Sequence, residues 1–310
     1  MKRLDTLDFP WAGGTVGEYH PATYESQHLV VDEHGIIDKQ ATDKQVVNQT
    51  VVDKQKVAAA FSQAAPCYDS AAKLQQQVLE QLVQELPALP DHSVVVDLGC
   101  GTGKGLQQLT QRYPMGQLFG LDLAYGMLVH ARSSQNVTAN WCCGDAEQLP
   151  LQENSIDLVF SSLAIQWCQS FPKLLSQIQQ ALKPGGYFVL STLTEGTLAE
   201  LSQAWQQIDR YAHVNKYPSE NWHRQQINGS GFQIVQAKNK QEVAYEQNLK
   251  AILQGLKNIG AGTVNGKRRS GLMSRQQYRQ LTNQYEAFRQ PSGLPATYQV
   301  FYSILKKPND

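Results

Sequence analysis

The chain has 310 residues, 41% of them apolar, so it can bury at least one large core. Its 27 basic side chains equal its 27 acidic ones, and a formal net charge of zero supplies no overall attraction to nucleic acid or to an anionic membrane. Charged partners must therefore be met by local patches.

No run reaches the roughly 18 apolar residues of a membrane helix. Asp5 and Asp8 interrupt the opening MKRLDTLDFPW, where a secretion signal would need an apolar stretch. A cytoplasmic protein is expected. The five cysteines (Cys67, Cys100, Cys142, Cys143 and Cys168) show no C-x-x-C spacing, which predicts reduced thiols and no bound metal.

Residues 1–53 read as a leader, partly disordered or loosely docked. Within it VVDEHGIIDKQATDKQVVNQTVVDKQ repeats a loose phrase whose spacing is too irregular for a solenoid. From Lys54 the pattern becomes helical. Val57, Ala60, Phe61 and Ala64 share one face, and Ala71, Leu74, Val78, Leu79, Leu82, Val83 and Leu86 trace a longer amphipathic helix that Pro87 and Pro90 end. Residues 54–92 are thus a helical cap.

A core follows over 93–245, opening with VVVDLGCGTGKG at 94–105. The three valines read as a buried parallel strand. Gly99, Gly101 and Gly103 allow positive φ and close approach to a ligand, and the helix beginning near Gly105 aims unpaired N–H groups at the same place. A dinucleotide G-x-G-x-x-G fails because Lys104 stands where the third glycine belongs. A phosphate-binding G-x-x-x-x-G-K-[ST] fails because Lys104 is followed by Gly105. Asp97 beside the loop would repel a pyrophosphate and suits a ligand that carries a cation.

Strand and helix patterns then alternate. QLFGLD (117–122) is a second strand ending in Asp122, placed to accept from two ribose hydroxyls. ANWCCGD (139–145) and SIDLVFSS (155–162) are the third and fourth, and Leu163 to Trp167 follow at the ligand edge. Leu174, Ile178 and Leu182 give a helix its buried face before KPGG at 183–186 stops it ahead of a fifth strand, YFVLSTL. FQIVQA (232–237) and TYQVFYSILKK (297–307) complete the set. The expectation is an α/β fold, a doubly wound, mostly parallel seven-stranded sheet. Residues 246–296 are an inserted helical lid with patterns at 249–259 and 274–288, and 297–310 are the last strand and tail. The lid carries Lys257, Lys267, Arg268, Arg269, Arg275 and Arg279, a positive field in a neutral chain.

The phrase DLGCGTG resembles motif I of the class I S-adenosylmethionine methyltransferases. That resemblance implies S-adenosyl-L-methionine as cofactor and S-adenosyl-L-homocysteine as product. Asp97 would answer the methionine ammonium, Asp122 the ribose, and Asp145 the adenine amino group beside the Ala146 backbone. Gly99, Cys100, Gly101, Gly103, Leu123, Met127, Ser161, Leu163 and Gln75 complete the implied cofactor set. AAAFSQAAPCYDSAAKLQ resembles the opening segment of small-acid methyltransferases, in which a tyrosine covers the cofactor. Here that is Tyr68, which with Gln166 and Trp167 would form the methyl-transfer pocket.

No Asn-Pro-Pro-Tyr phrase follows the fourth strand, because SSLA stands there. A carboxylate acceptor would need no general base, since with a solution pKa near 4 it is already ionised. It needs a cation instead. STLTEGTLAELSQAWQQID, LKNIGAGTV, GLMSRQQYRQL and GLPATYQVFYSILKK resemble the malonyl-acyl-carrier-protein O-methyltransferases of biotin synthesis, and the likeness covers about 54–307. It implies esterification of the malonyl carboxylate carried by acyl carrier protein or coenzyme A, in a monomer. Arg275 and Tyr298, with Lys257, Arg268 and Arg269 as further candidates, would hold the carboxylate or the phosphopantetheine arm. The remaining lid cations would attract the acidic carrier protein. A methyltransferase of the trans-aconitate type, one for a quinone carbon, and a non-catalytic cofactor-binding protein are the alternatives.

Overall fold

A computed structural model describes residues 52–261 and 273–309. All but the last two residues of the expected leader, and Lys267, Arg268 and Arg269 of the lid, lie outside them.

Two helices open the described chain, α1 (Lys54–Ala71) and α2 (Lys73–Gln84). Asp53 caps the first, its side chain accepting from the Lys56 N–H. The helix continues through Pro66, so the phrase AAAFSQAAPCYDSA is helical to Ala71. The proline removes one backbone donor, and packing of α1 over the core holds the rest in place.

The sheet is laid down by β1 (Val94–Leu98), β2 (Gln117–Asp122), β3 (Asn140–Cys143), β4 (Ile156–Ser162) and β5 (Leu182–Leu193), with α3 (Lys104–Arg112), α4 (Tyr125–Ser134) and α5 (Phe171–Ala181) between them. After β5 come α6 (Ala199–Gln206), α7 (Glu220–Asn228), β6 (Gln233–Glu246), α8 (Leu249–Asn258), α9 (Arg275–Glu286) and β7 (Leu294–Lys306). Strand order is β3-β2-β1-β4-β5-β7-β6, and β7 alone runs against the direction of the other six. The seven-stranded, mostly parallel sheet of the sequence reading is observed.

Alternation along the strands builds two cores. Val95, Leu158 and Val189 face α2, α3 and α6, whereas Val96, Val159 and Phe188 face α5 and α7. A strand buried on both faces has no room for polar residues, which is why VVV and LVF read so plainly. The strand order reverses between β1 and β4, so the C-terminal ends of those two strands open a crevice there.

Two strands differ from the reading. The KPGG phrase does not precede β5 but lies inside it: Leu182 pairs with Ile156, residues 183–186 bulge out with Gly185 at φ +78°, and pairing resumes at Tyr187. The strand expected at 232–237 runs on to Glu246, paired with β7 throughout. Residues 238–246, KNKQEVAYE, carry little apolar signal because β6 is an edge strand with a solvated face. The expected lid helices α8 and α9 span the connection between β6 and β7, and the Ser274 capping box starts α9. No described helix is long and apolar enough to cross a membrane.

Candidate active site

The glycine loop leaves β1 and is stitched to β2. The N–H groups of Gly99 and Cys100 both donate to the Leu121 carbonyl, at 2.7 and 3.1 Å. Gly99 takes φ +74°, and a methyl built on it would lie 2.2 Å from Cβ of Ala164, so the loop touches the segment that follows β4. Gly101 takes φ +52°, and its N–H donates to Oδ2 of Asp122 at 2.8 Å. A methyl on Gly101 would meet nothing within 4 Å, which leaves an open cradle before the loop. Gly103, at φ +82°, caps α3.

Asp97 is only 3% exposed, and its carboxylate lies against Gly105, where a Cβ would come within 2.4 Å of Oδ2. Among the described residues none donates a hydrogen bond to it. Burial first, then the charge of Asp122, pushes its carboxyl up to about 8. Asp122 is better satisfied, since Gly101 N–H reaches Oδ2 and Ala124 N–H reaches Oδ1 at 2.7 Å, yet burial still raises it. Met127 is buried with Ala65 and Ala124 against Phe61 and Tyr68. Leu123 lies half-buried beside it in sequence, its carbonyl accepting from the Cys143 thiol.

Asp145 is already engaged. Lys54 Nζ, on the first residue of α1, donates to its two oxygens at 2.7 and 2.6 Å and also pairs with Glu147. Glu147 accepts from the N–H groups of Gln169 and Ser170 at 2.8 and 2.7 Å. A lysine 91 positions away thus pins the cap to the loop that holds Asp145 and the half-buried Ala146. Lys54 and Asp145 each keep 24% of their side-chain exposure, which discounts the pair below the 3–5 kcal/mol of a fully buried one. Lys54→Gln is expected to cost about 1–2 kcal/mol, lowering Tm by about 2–4 °C. A melting curve identical to that of the parent chain would remove Lys54 from this role.

Asp69 makes a second tie, accepting from Oγ1 of Thr102 at 2.6 Å with Lys104 Nζ at 3.7 Å. Neither Lys54 nor Asp69 stood out in the sequence. Both are charges on a helix, and only their partners across the fold distinguish them from solvated ones.

Beyond the loop lies a cavity of about 370 Å³. Tyr68, Gln75, Leu163, Gln166 and Trp167 form part of its wall. Phe61 meets the Trp167 ring edge-on at 5.5 Å. Leu163 is held at φ +48°, its N–H shared between the carbonyl and hydroxyl of Ser191, a strained position for a branched side chain. Gln166 donates from Nε2 to the Leu163 carbonyl at 2.5 Å, while its buried Oε1 has no partner among the described residues. Burial, and then the charges of Asp122 and Asp69, drive the Tyr68 hydroxyl far above its ordinary range, so it stays neutral. Ser161 does not reach the cavity: its hydroxyl donates to the Leu98 carbonyl at 2.8 Å.

The rest of the wall includes Leu198, Trp205, His213, Tyr217, Leu256 and Tyr298, with Lys257 exposed among them. None of the described lining residues is an aspartate or glutamate. The structure brings Tyr298 and Lys257 to this space but not Arg275. That residue is exposed on the first turn of α9, beside a separate hollow it shares with Tyr278 and Arg279. Lys257 stands on α8 and Arg275 on α9, and closeness in sequence does not bring two helices' charges to one space. Among the described residues no cluster of His, Cys, Asp or Glu could hold a metal ion.

Comparisons with known proteins bear on this geometry. A family described as methyltransferase domain matches residues 96–190. The chain is 42% identical over 259 residues to the biotin biosynthesis bifunctional protein BioHC of Cellvibrio japonicus, covering 84% of this chain and 51% of that one. It is 39% identical over 258 residues to the malonyl-acyl-carrier-protein O-methyltransferase of Herminiimonas arsenicoxydans, covering 83% of this chain and 97% of that one. The chain therefore spans about half the length of the bifunctional relatives and nearly all of the shorter one. Among solved structures the YcgJ protein of Bacillus subtilis matches with a TM-score of 0.53 at 16% identity, over 76% of this chain and all of that one, a likeness of fold alone.

Proposed function

The chain belongs to the malonyl-acyl-carrier-protein O-methyltransferase family, and on that footing we propose that it transfers a methyl group from S-adenosyl-L-methionine to the free carboxylate of a malonyl thioester. The carrier we propose is acyl carrier protein, with coenzyme A as the smaller substitute, and the setting is the cytoplasm, with the chain acting as a monomer.

The residues present fit the cofactor. Asp97 is a buried carboxyl with no compensating charge among the described residues, which suits an ammonium group. Gly101 leaves the cradle open. Asp122 has spent one acceptor site on each oxygen and keeps others for ribose hydroxyls. Asp145, with Lys54 on both oxygens and the Glu147 N–H on one, keeps a site for an adenine amino group. When bound, the sulfonium supplies an electrophilic methyl and departs as a neutral thioether.

The single observation that carries the reading is the cavity's charge: a space walled by Leu163, next to the Ala164 that Gly99 abuts, mostly apolar and with no acid in its described lining, admits an anionic acceptor that an acidic pocket would repel. Phe61 and Trp167 exclude water from it, and the packed walls hold the acceptor at attacking distance. No lining residue has to remove a proton, because the acceptor arrives ionised. The product is chemically useful: apolar chain-extending pockets reject a bare carboxylate at a cost of several kcal/mol, and a methyl ester removes that charge.

The test incubates the chain with methyl-labelled S-adenosyl-L-methionine and, separately, malonyl carrier protein, malonyl-coenzyme A, trans-aconitate or no acceptor. Base-labile label on the malonyl thioesters is expected. Label on trans-aconitate alone, or cofactor binding with no transfer to any acceptor, would sink the proposal.

A further inference from the structure

The cavity wall also holds an imidazole ring, that of His213. His213 lies between α6 and α7 with 19% of its side chain exposed. Its ring stacks on the Trp205 indole, the centroids 3.5 Å apart and the planes 6° from parallel. Its Nε2 lies 2.8 Å from Oδ1 of Asp209. The stack fixes the plane of the ring, and the carboxylate fixes its rotation within that plane. Nδ1 has no hydrogen-bond partner among the described residues, and the ring lines the cavity.

The other ionisable groups that line the space serve less well as a fixed cation. Lys257 is exposed on a long stem, and ordering such a side chain costs about 1.5–2 kcal/mol. The Tyr217 and Tyr298 hydroxyls, held neutral by burial, can only add donors.

Accepting the methyl-transfer reading above, we propose that His213 is the residue that recognises the acceptor's carboxylate, with Asp209 as its positioning residue and Trp205 as its backing. Nε2–H donates to Asp209, and Nδ1–H donates to one oxygen of the malonyl carboxylate, leaving the other oxygen to take the methyl group. The ring then carries a proton on both nitrogens between two carboxylates. If it enters with Nε2 alone protonated, one proton from solvent joins Nδ1 as the acceptor binds. The methyl moves from sulfur to oxygen, the S–C bond breaks as the C–O bond forms, and no proton leaves the acceptor. The resulting ester is neutral and holds the imidazolium less well, which favours release.

The same arrangement sets specificity. A thioester ending in a methyl group offers the ring nothing to accept from Nδ1 and forfeits the charge-assisted hydrogen bond that a carboxylate makes there. Acceptors with a free carboxylate at malonyl length are therefore preferred over neutral chains of similar size.

The experiment uses the full chain saturated with S-adenosyl-L-homocysteine, titrated with malonyl or butyryl carrier protein. The parent chain should prefer malonyl by at least about tenfold. His213→Gln, which keeps a donor but not the charge, should erase most of that preference. In turnover it should raise KM for malonyl carrier protein about 10- to 100-fold, with kcat within about threefold and S-adenosyl-L-homocysteine affinity unchanged. Asp209→Asn should move KM the same way by a smaller factor. Should either variant fail to fold, nitrogen-labelled histidine in the parent chain still decides the matter. The His213 signals should report protons on both nitrogens with malonyl carrier protein and not with butyryl. Retained preference in His213→Gln, its loss in Lys257→Gln instead, or histidine signals indifferent to the malonyl group would overturn the assignment. A parent chain that methylates no malonyl thioester would overturn the underlying reaction itself, a distinct result.

Discussion

Asp97→Asn is expected to weaken S-adenosyl-L-methionine binding by about 10²–10³-fold, the loss of one charge from a buried pair, while the empty chain melts no earlier than the parent at pH 8. A carboxyl that burial and Asp122 push up to about 8 destabilises the empty fold whenever it ionises. Between pH 4 and 8 the folded chain holds a proton on Asp97 that the unfolded chain has released. Stability therefore falls as pH rises through that window, by up to about 1.4 kcal/mol per unit, and levels off above it. Asp122, raised in the same direction, contributes with the same sign. Replacing Asp97 by asparagine removes its part of the slope.

The cofactor should act in the opposite sense. Its ammonium pairs only with the ionised carboxylate, so affinity should rise about tenfold per unit from pH 6 to 8 and then flatten, with close to one proton released on binding at pH 7. Calorimetry in two buffers of different ionisation enthalpy measures that proton, and melts from pH 5 to 9 with and without cofactor measure the slope. Parent-like cofactor affinity in Asp97→Asn, or affinity indifferent to pH, would show that this carboxylate does not meet the ammonium.

Gly99→Ala is expected to cost at least 100-fold in kcat/KM and about 2–4 kcal/mol in stability. An alanine at φ +74° is strained by about 1–2 kcal/mol, and its methyl at 2.2 Å from the Ala164 Cβ adds the cost of overpacking. Relief requires the loop or the Leu163–Trp167 segment to move. The first carries the cofactor cradle and the second the cavity wall, so both halves of the site suffer. Gly101→Ala is the control. Its φ is also positive, but its methyl meets nothing within 4 Å, so stability should fall by only about 1 kcal/mol while cofactor binding is blocked. Cofactor bound by Gly101→Ala as tightly as by the parent would place the ligand elsewhere.

These variants sit on features the sequence declares. Runs such as VVV and LVF name buried strands because a strand covered on both faces favours apolar residues, and the loop spells its three positive-φ points with glycine, which adopts them without strain. Asp97 near the end of β1, Asp122 at the end of β2 and Asp145 just after β3 stand at ligand-edge positions that the strand pattern locates. Where burial is one-sided the spelling fails: β6 continues through KNKQEVAYE because its partner β7, and not its own composition, holds it in the sheet. The KPGG phrase has the chemistry of a stop, yet the register between β4 and β5 turns it into a bulge.

The pairings that finish the site lie further from local patterning still. Lys54 with Asp145 and Asp69 with Thr102 each join elements whose approach is set by how helices pack over the crevice. Arg275 and Lys257 look alike along the chain, but helix phase and docking put one in solvent and the other at the cavity. Periodicity and turn chemistry are written by each residue's immediate neighbours, so the sheet and its glycine loop can be read directly. Which charge meets which is settled only when segments tens of residues apart are brought within 3 Å, and that approach belongs to the folded chain.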